Sequence, residues 1–228
     1  MHRPALMRLA FLGVGVSMMI LALSGCGSGS AQQEEEAKPR PLPAEDGQPL
    51  RPGEYSSGEF KPSFSFEVPK GWSTLELLPP DGFALSTQEE TRWMGFTMFI
   101  EEVFKPGTQK VVEAPEDMVG WFQHHPYLKT SEPEPVTVGG IKGEQFDLVV
   151  EAPEDYYGQC GSADCMDIWM LSTGEALWFK EPFKTRLVIL EDVKGNTVVI
   201  DINALPSEFD EFVPEAEKVL DTVKWGGS

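Results

Sequence analysis

The sequence contains few of the residues on which most catalytic and metal sites are built. Its 228 residues include 3 cysteines and 3 histidines. Basic residues are also scarce: 18 Lys and Arg stand against 37 Asp and Glu, and the formal net charge is −19. A charge of this sign opposes binding to nucleic acid or to anionic lipid. Because 41% of the residues are hydrophobic and 11% aromatic, the chain can still build a large core.

Recognisable catalytic motifs are missing as well. The chain contains neither G-x-x-x-x-G-K-[ST] nor G-x-G-x-x-G, and Gly161-Ser162 does not continue into G-x-S-x-G. His124 and His125 are adjacent, so on a helix they point about 100° apart and are poorly placed to serve one metal or one proton transfer. We therefore predict that the protein is not an enzyme and that it holds no cofactor and no metal.

The acidic residues leave one enzymatic alternative open. A group of them clusters in the sequence: Glu151, Glu154, Asp155, Asp164 and Asp167. Carboxylates bind calcium, but this group lacks the D-x-D-x-D-G register of a calcium loop. A glycosidase needs two carboxylates that converge across a cleft, and spacing alone does not nominate such a pair. The alternative to a binding protein is therefore a secreted hydrolase that uses acidic residues, with or without calcium.

The N-terminus has the features of an export signal. A basic start precedes the apolar run from Leu9 to Leu23, which is short for a membrane span. The next residues, Leu23-Ser24-Gly25-Cys26, resemble the lipobox of bacterial lipoproteins. This resemblance implies that residues 1–25 are a signal peptide that is removed, and that Cys26 then carries fatty acids such as palmitate. We expect a lipid-anchored protein of the bacterial cell envelope, at the outer face of the cytoplasmic membrane.

A spacer follows the cysteine. Residues 26–54 contain glycine and serine, then the acidic run Glu34-Glu35-Glu36, then several prolines, with almost no large apolar residues. This composition predicts a disordered acidic, proline-rich tether. The globular domain is expected at residues 55–226.

Periodicity in the globular part predicts an α+β fold. Apolar residues alternate with polar ones in Phe64–Val68 and in Thr197–Ala204, which is typical of strands. Gly139-Gly140 predicts a tight hairpin turn. Helical spacing predicts one helix near Pro115–His124 and another over Ser207–Val223, with Ser207 as its cap. We expect one domain in which an antiparallel sheet is flanked by helices.

Several short phrases carry a resemblance to a known family. They are the F-x-F-x-V-P-x-G-W opening at Phe64–Trp72, the Val-Gly-Gly hairpin, the later Val-x-Gly-Asn hairpin and the ending Ala216–Val223. In element order and in these phrases the chain resembles bacterial PsbP-like lipoproteins, which share the Mog-type fold. The resemblance implies an α/β/α sandwich and a binding or assembly-support module rather than an enzyme.

Two further features of the domain are candidate sites. Cys160 and Cys165 are close in sequence and, outside the cytoplasm, are expected to form a structural disulfide. Trp178, Phe179 and Phe183 lie in a stretch that looks irregular, where bulky apolar side chains either complete a core or mark a binding surface. We take these three aromatic residues as the candidate contacts. The expected partners are the membrane, through the lipid anchor, and an unidentified protein or small apolar ligand.

The lipid anchor is testable by intact mass. Protein extracted from membranes should lack residues 1–25 and should carry the added mass of fatty acids on Cys26. Cys26→Ser is the matched variant, and it should lose the added mass of fatty acids. A soluble protein with the mass of the full chain would contradict this prediction.

Overall fold

The computed structural model describes residues 38–87, 91–98, 100–154, 156, 158 and 164–226. These residues form strands β1 to β16 and helices α1 and α2. In chain order the elements are β1 Arg40–Pro41, β2 Gly53–Ser56, β3 Phe64–Val68, β4 Trp72–Leu78, β5 Gly82–Thr87, β6 Arg92–Thr97, β7 Glu102–Phe104, β8 Val111–Glu113, α1 Met118–Gln123, β9 Leu128–Thr130, β10 Glu134–Val138, β11 Ile141–Val150, β12 Cys165–Met170, β13 Ala176–Lys180, β14 Lys184–Val193, β15 Asn196–Ala204, α2 Phe209–Leu220 and β16 Lys224–Trp225.

The largest sheet, called here the central sheet, has eight antiparallel strands. Its order is β10-β11-β14-β15-β6-β5-β4, and β9 pairs with β11. Both predicted hairpins are confirmed. Gly139 and Gly140 turn from β10 to β11 with φ of 56° and 82°, and Lys194 and Gly195 turn from β14 to β15 with φ of 58° and 84°. Such left-handed pairs match the twist of the strands that they join.

One face of the central sheet packs against α2 and a small sheet of order β1-β2-β3-β16. Aromatic rings fill the middle of this layer. The ring of Phe64 lies 5.5 Å from that of Phe66, 5.9 Å from Phe83 and 5.1 Å from Phe96. The apolar side of α2 completes the layer, since Phe212 and Val219 are both fully buried.

The other face packs against α1 and a second small sheet of order β13-β12-β7-β8. Phe122 of α1 is fully buried between Phe146 of the central sheet and Trp169 of β12, at ring distances of 5.9 and 6.3 Å. The central sheet is therefore covered on both faces. The predicted α+β fold, an antiparallel sheet flanked by helices, is confirmed, and two small sheets add to it.

Both helices are shorter than the sequence predicts. α1 begins after Asp117, whose carboxylate accepts a hydrogen bond from the backbone N–H of Gly120 at 2.6 Å. Pro115 therefore lies before the helix, not in its first turn. α2 begins after Glu208, so the predicted cap at Ser207 is wrong. Pro214 lies inside α2, which continues as one helix from Phe209 to Leu220.

Folded structure begins earlier than the sequence predicts. Residues 38–54 were expected to belong to a disordered tether, but Arg40–Pro41 forms β1, parallel to β2. Leu50 is only 6% exposed, and its backbone N–H donates to the carbonyl of Trp72 at 2.8 Å. The sequence does not predict this strand, because its prolines interrupt the alternation of apolar and polar residues on which strand prediction depends.

Two segments of the second layer also differ from the prediction. The aromatic stretch expected to be irregular is strand β13, which pairs with β12. The apolar segment Trp93–Val103 divides between two strands, because β6 belongs to the central sheet and β7 to the small sheet beside it. One chain segment thus crosses from one sheet to the other.

The early start of the fold is testable at Leu50. Leu50→Ala should lower the free energy of unfolding by about 2–4 kcal/mol, because it leaves a cavity in a buried cluster. Leu75→Ala is the matched control, since Leu75 is 41% exposed. Its effect should stay within about 0.5 kcal/mol. Equal effects in urea denaturation would show that residues 38–54 do not pack on the domain.

Candidate functional site

A cleft lies between the central sheet and the hairpin formed by β12 and β13. Its volume is about 660 Å³, within the usual range for small-molecule sites. Strands β4, β5, β6 and β15 supply its floor, and β12, β13 and the turn between them supply its wall. The residues that line it are Leu75, Glu76, Leu78, Gly82, Phe83, Ala84, Trp93, Gly95, Phe96, Thr97, Ile168, Trp169, Leu171, Gly174, Glu175, Ala176, Leu177, Trp178, Phe179 and Asp201.

The floor is open because its middle residues are small. In the register of the sheet, Asp201 pairs with Gly95, Gly95 with Ala84 and Ala84 with Glu76. This row therefore has an acid at each end and almost no side chain between them. A β-carbon on Gly95 would collide with Oδ1 of Asp201, so glycine makes room for that carboxylate.

Asp201 is held by a buried polar chain. The side-chain N–H of Asn203 donates to Oδ2 of Asp201 at 2.5 Å, and the hydroxyl of Thr185 donates to Oδ1 of Asn203 at 2.6 Å. Asn203 and Thr185 are 2% and 1% exposed, so the hydrogen bond to the carboxylate comes from a buried and fixed side chain. Burial raises the pKa of Asp201 from 3.8 to about 6, and the hydrogen bond from Asn203 lowers it in part.

Two further acids lie at the mouth of the cleft. Glu76 is exposed, but partial desolvation raises its pKa, and the negative charges of Asp46 and Glu175 raise it further. Among the described residues, the charged side chains that line the cleft are all acidic: Asp201, Glu76 and Glu175. The site is thus negatively charged. Repulsion between Glu76 and Glu175 favours the protonated form of Glu76.

Aromatic and aliphatic side chains form the wall. Phe179 is 6% exposed and packs on Trp169 with their rings 5.7 Å apart. Trp178, its neighbour on β13, is 43% exposed. The indole N–H of Trp169 is buried without a hydrogen-bond partner in the described structure. A buried hydrogen-bond donor without an acceptor is uncommon in folded proteins.

The structure separates the three candidate aromatic residues. Trp178 and Phe179 both line the cleft, Trp178 as an exposed side chain and Phe179 as part of the core. Phe183 follows the strand and packs edge-on against Trp93, with their rings 4.6 Å apart. The three therefore form no common exposed surface. Whether Trp178 binds a ligand stays a prediction.

The cysteine predictions fall largely outside the described residues. Cys26 and Cys160 both lie outside them, so lipidation of the first and pairing of the second with Cys165 stay predictions. Cys165 itself is completely buried at the start of β12. Within the described ranges, no helix is long and apolar enough to cross a membrane.

Three described members of the acidic cluster considered for calcium have other partners. Lys129 pairs with Glu151 at 3.8 Å, and Lys180 pairs with Asp164 at 3.5 Å. Asp167 is buried beside Tyr156, whose hydroxyl lies 3.5 Å from its carboxylate. Asp155 lies outside the described residues. No group of three metal-binding side chains is found in the part of the chain that the structure describes.

The two adjacent histidines contact α1 and its aromatic neighbours, not the cleft. His124 is the C-terminal cap residue of α1, and its ring Nδ1 lies 2.7 Å from the carbonyl of Gly120. His125 is 4% exposed and packs edge-on against Trp121 at 5.0 Å. Burial lowers the pKa of His125 to about 4, so the ring is neutral at physiological pH. Neither residue lines the cleft.

Sequence reasoning missed the acid at the floor of the cleft. Asp201 is one of the polar residues that alternate with apolar ones in Thr197–Ala204, a pattern that predicts a strand with one face toward solvent. In the structure that face is covered too, because β15 lies in the middle of a sheet buried on both sides. An acidic residue within a central strand could have indicated the site. The pairing of Asp201 with Gly95, however, depends on the register between two strands, which the sequence of one strand does not determine.

No family model matches the chain, and no curated protein sequence does. Solved structures with some likeness include cyanobacterial PsbP (CyanoP) from Synechocystis sp. PCC 6803, at 10% identity and a TM-score of 0.43 over 81% of this chain and 99% of that one. LpqN, involved in cell envelope biogenesis of Mycobacterium tuberculosis, gives 12% identity and 0.34 over 77% and 85%.

A protein from Bacteroides thetaiotaomicron VPI-5482 gives 12% identity and a TM-score of 0.38 over 72% of this chain. The chain spans 45% of that protein's length. Likenesses this distant assign neither a family nor a function. The site has to be interpreted from its own geometry.

The buried acid should reduce stability at neutral pH. Because its pKa is raised, Asp201 is favourably protonated in the folded state, and this contribution is lost as pH rises from 3.8 through about 6. Asp201→Asn should therefore raise the free energy of unfolding at pH 7.5 by up to roughly 3 kcal/mol, with little change at pH 3.5.

Urea denaturation of both proteins across pH 3.5–7.5 measures this difference. His125 is present in both, so its own titration cancels. Glu132→Gln, at an exposed position that does not line the cleft, removes the same charge and is the control for the change in net charge. A pH-independent effect of Asp201→Asn would contradict the assignment.

Proposed function

We propose that this protein is a lipid-anchored, extracytoplasmic binding module without catalytic activity, and that its ligand binds in the cleft between the central sheet and the β12–β13 hairpin. The observation that carries the proposal is the cleft itself, a preformed and largely apolar space of about 660 Å³. Sites for small molecules are typically concave, mostly apolar and supplied with a few fixed polar groups. The Asp201–Asn203–Thr185 chain is such a fixed group.

Features of the sequence support the remainder of the proposal. The lipobox-like residues around Cys26 support a lipid anchor at the outer face of the cytoplasmic membrane. The resemblance to PsbP-like lipoproteins supports a binding or assembly-support role, and an exported location favours a disulfide between Cys160 and Cys165. The ligand is inferred to be a small molecule rather than a protein, because the apolar residues line a cleft instead of forming a flat exposed patch.

A hydrolase remains the second candidate, since the cleft holds two carboxylates with raised pKa values. Asp201 lies on β15 and Glu76 on β4, with β6 and β5 between them. Three strand spacings put their Cα atoms roughly 14 Å apart. Inverting glycosidases hold their carboxyl groups about 6.5–9.5 Å apart, so the two acids would have to lean toward each other across Ala84.

The binding site is testable by photolabelling of the full chain in its own membranes. A neutral octyl alcohol that carries a diazirine should label the β13 peptide, Ala176–Lys180, in a saturable manner. Ala84→Leu places a larger side chain on the floor and should raise the half-saturating concentration at least about tenfold. Trp178→Ser, which removes part of the wall, should raise it as well.

Ala114→Leu is the matched control, because Ala114 is also partly buried but does not line the cleft. It should leave the labelling unchanged. Melting curves of each variant establish that it is folded. Labelling of β13 that does not saturate, or that is equal in Ala84→Leu and the unmodified protein, would overturn the proposed site.

The hydrolase alternative has its own test. Membranes that contain the protein are assayed against panels of glycosides, esters and peptides, beside membranes that contain Asp201→Asn or Glu76→Gln. We expect no difference in hydrolysis. Activity that is present in the unmodified protein and lost in both variants would replace binding by catalysis.

A further inference from the structure

We propose that the cleft selects a cationic amphiphile, a molecule with an aliphatic body and a positively charged amine, and that the amine pairs with Asp201. This inference rests on the proposed function and names the class of its ligand. The aliphatic part would lie between Leu177 and Trp178 of the wall and Leu78 of the floor. The charged end would reach the small-residue floor beside Gly95.

Charge is the first reason. The cleft is lined by Asp201, Glu76 and Glu175 and by no basic side chain within the described structure. An anionic or zwitterionic head group with its phosphate at the floor would face the Asp201 carboxylate without a compensating cation. A positive group at the same place pairs with that carboxylate in surroundings of low polarity, where such attraction is strong.

The aromatic lining is the second reason. Trp93, Trp169 and Trp178 all line the cleft together with the acids. Indole rings attract cations to their faces, and a combination of aromatic rings with carboxylates is the usual recognition site for ammonium groups. An inorganic cation fits less well, because no cluster of three metal-binding side chains is found within the described residues.

The floor is built for a group of limited width. Gly95 and Ala84 leave the space between Asp201 and Glu76 open, and a side chain at residue 95 would collide with the carboxylate. The orientation of Asp201 is restrained by the hydrogen bond from Asn203, whose own side chain accepts from the hydroxyl of Thr185. The carboxylate therefore faces the cleft in one orientation. A fixed orientation favours a directed ion pair with one bound group over nonspecific attraction of cations.

The test compares three photoprobes that share one octyl diazirine chain and differ in the head group: trimethylammonium, hydroxyl or sulfate. They are applied to the full chain in its membranes, and labelling of the β13 peptide is measured. The trimethylammonium probe should half-saturate at a concentration at least about tenfold below that of the hydroxyl probe. The sulfate probe should not give saturable labelling of this peptide.

Asp201→Asn should remove the preference, so that the cationic and neutral probes half-saturate within about threefold of each other. Glu132→Gln changes the net charge equally at an exposed position away from the cleft and should keep the preference. The ratio of the two half-saturating concentrations is compared between the unmodified protein and the variant in membranes of the same composition, which cancels any unequal partition of the probes into lipid. Asp201→Ser is a second variant without the charge, for use if the first does not fold.

The outcomes separate this inference from the proposed function. Equal labelling by the cationic and neutral probes in the unmodified protein would overturn the cation preference and leave the binding cleft in place. Survival of the preference in Asp201→Asn would also overturn the inference, because the cation would then be held at the mouth by Glu76 or Glu175. Saturable labelling by none of the probes would overturn both.

Discussion

The burial of the β14–β15 hairpin on both faces is the constraint on which the rest of the structure depends. Leu187 and Ile189 face one layer, Val188 and Leu190 face the other, and all four are completely buried. A two-sided apolar hairpin cannot stand at the edge of a sheet or face water. It therefore requires α2 with one small sheet on one side, and α1 with the other small sheet on the opposite side.

The cleft lies where one of these covers leaves part of the sheet free. Over β11 and β14 the second face of the central sheet is filled by bulky side chains such as Phe146 and Phe122 of α1, but over β6 and β5 it offers Gly95 and Ala84. Small residues there leave a gap that β12 and β13 border without filling it. A packed core tolerates voids poorly. A preformed gap with an oriented carboxylate at its floor is therefore better explained by binding than by stability.

Local and non-local features differ in how well the sequence predicts them. The turns at Gly139-Gly140 and Lys194-Gly195 are determined by a few adjacent residues, so both hairpins and the antiparallel class could be predicted. The cleft could not, because its floor combines residues of four strands that come together only through the register of the sheet. Trp178 was recognised as an unusual aromatic residue, whereas Asp201 was taken for an ordinary polar position in an alternating strand.

The pKa values of His125 and Asp201 are both strongly shifted, and of the two only the shift of Asp201 reduces stability at neutral pH. His125 is neutral when folded, so its burial costs free energy only as pH falls from about 6.5 toward 4. Asp201 has the opposite dependence, and its cost is complete above about 6. Between pH 4 and 6 the two effects partly cancel, but at neutral pH only the carboxylate is penalised. A ligand cation that pairs with Asp201 would offset that penalty, so binding would stabilise the fold most at the pH where the empty cleft is least favourable.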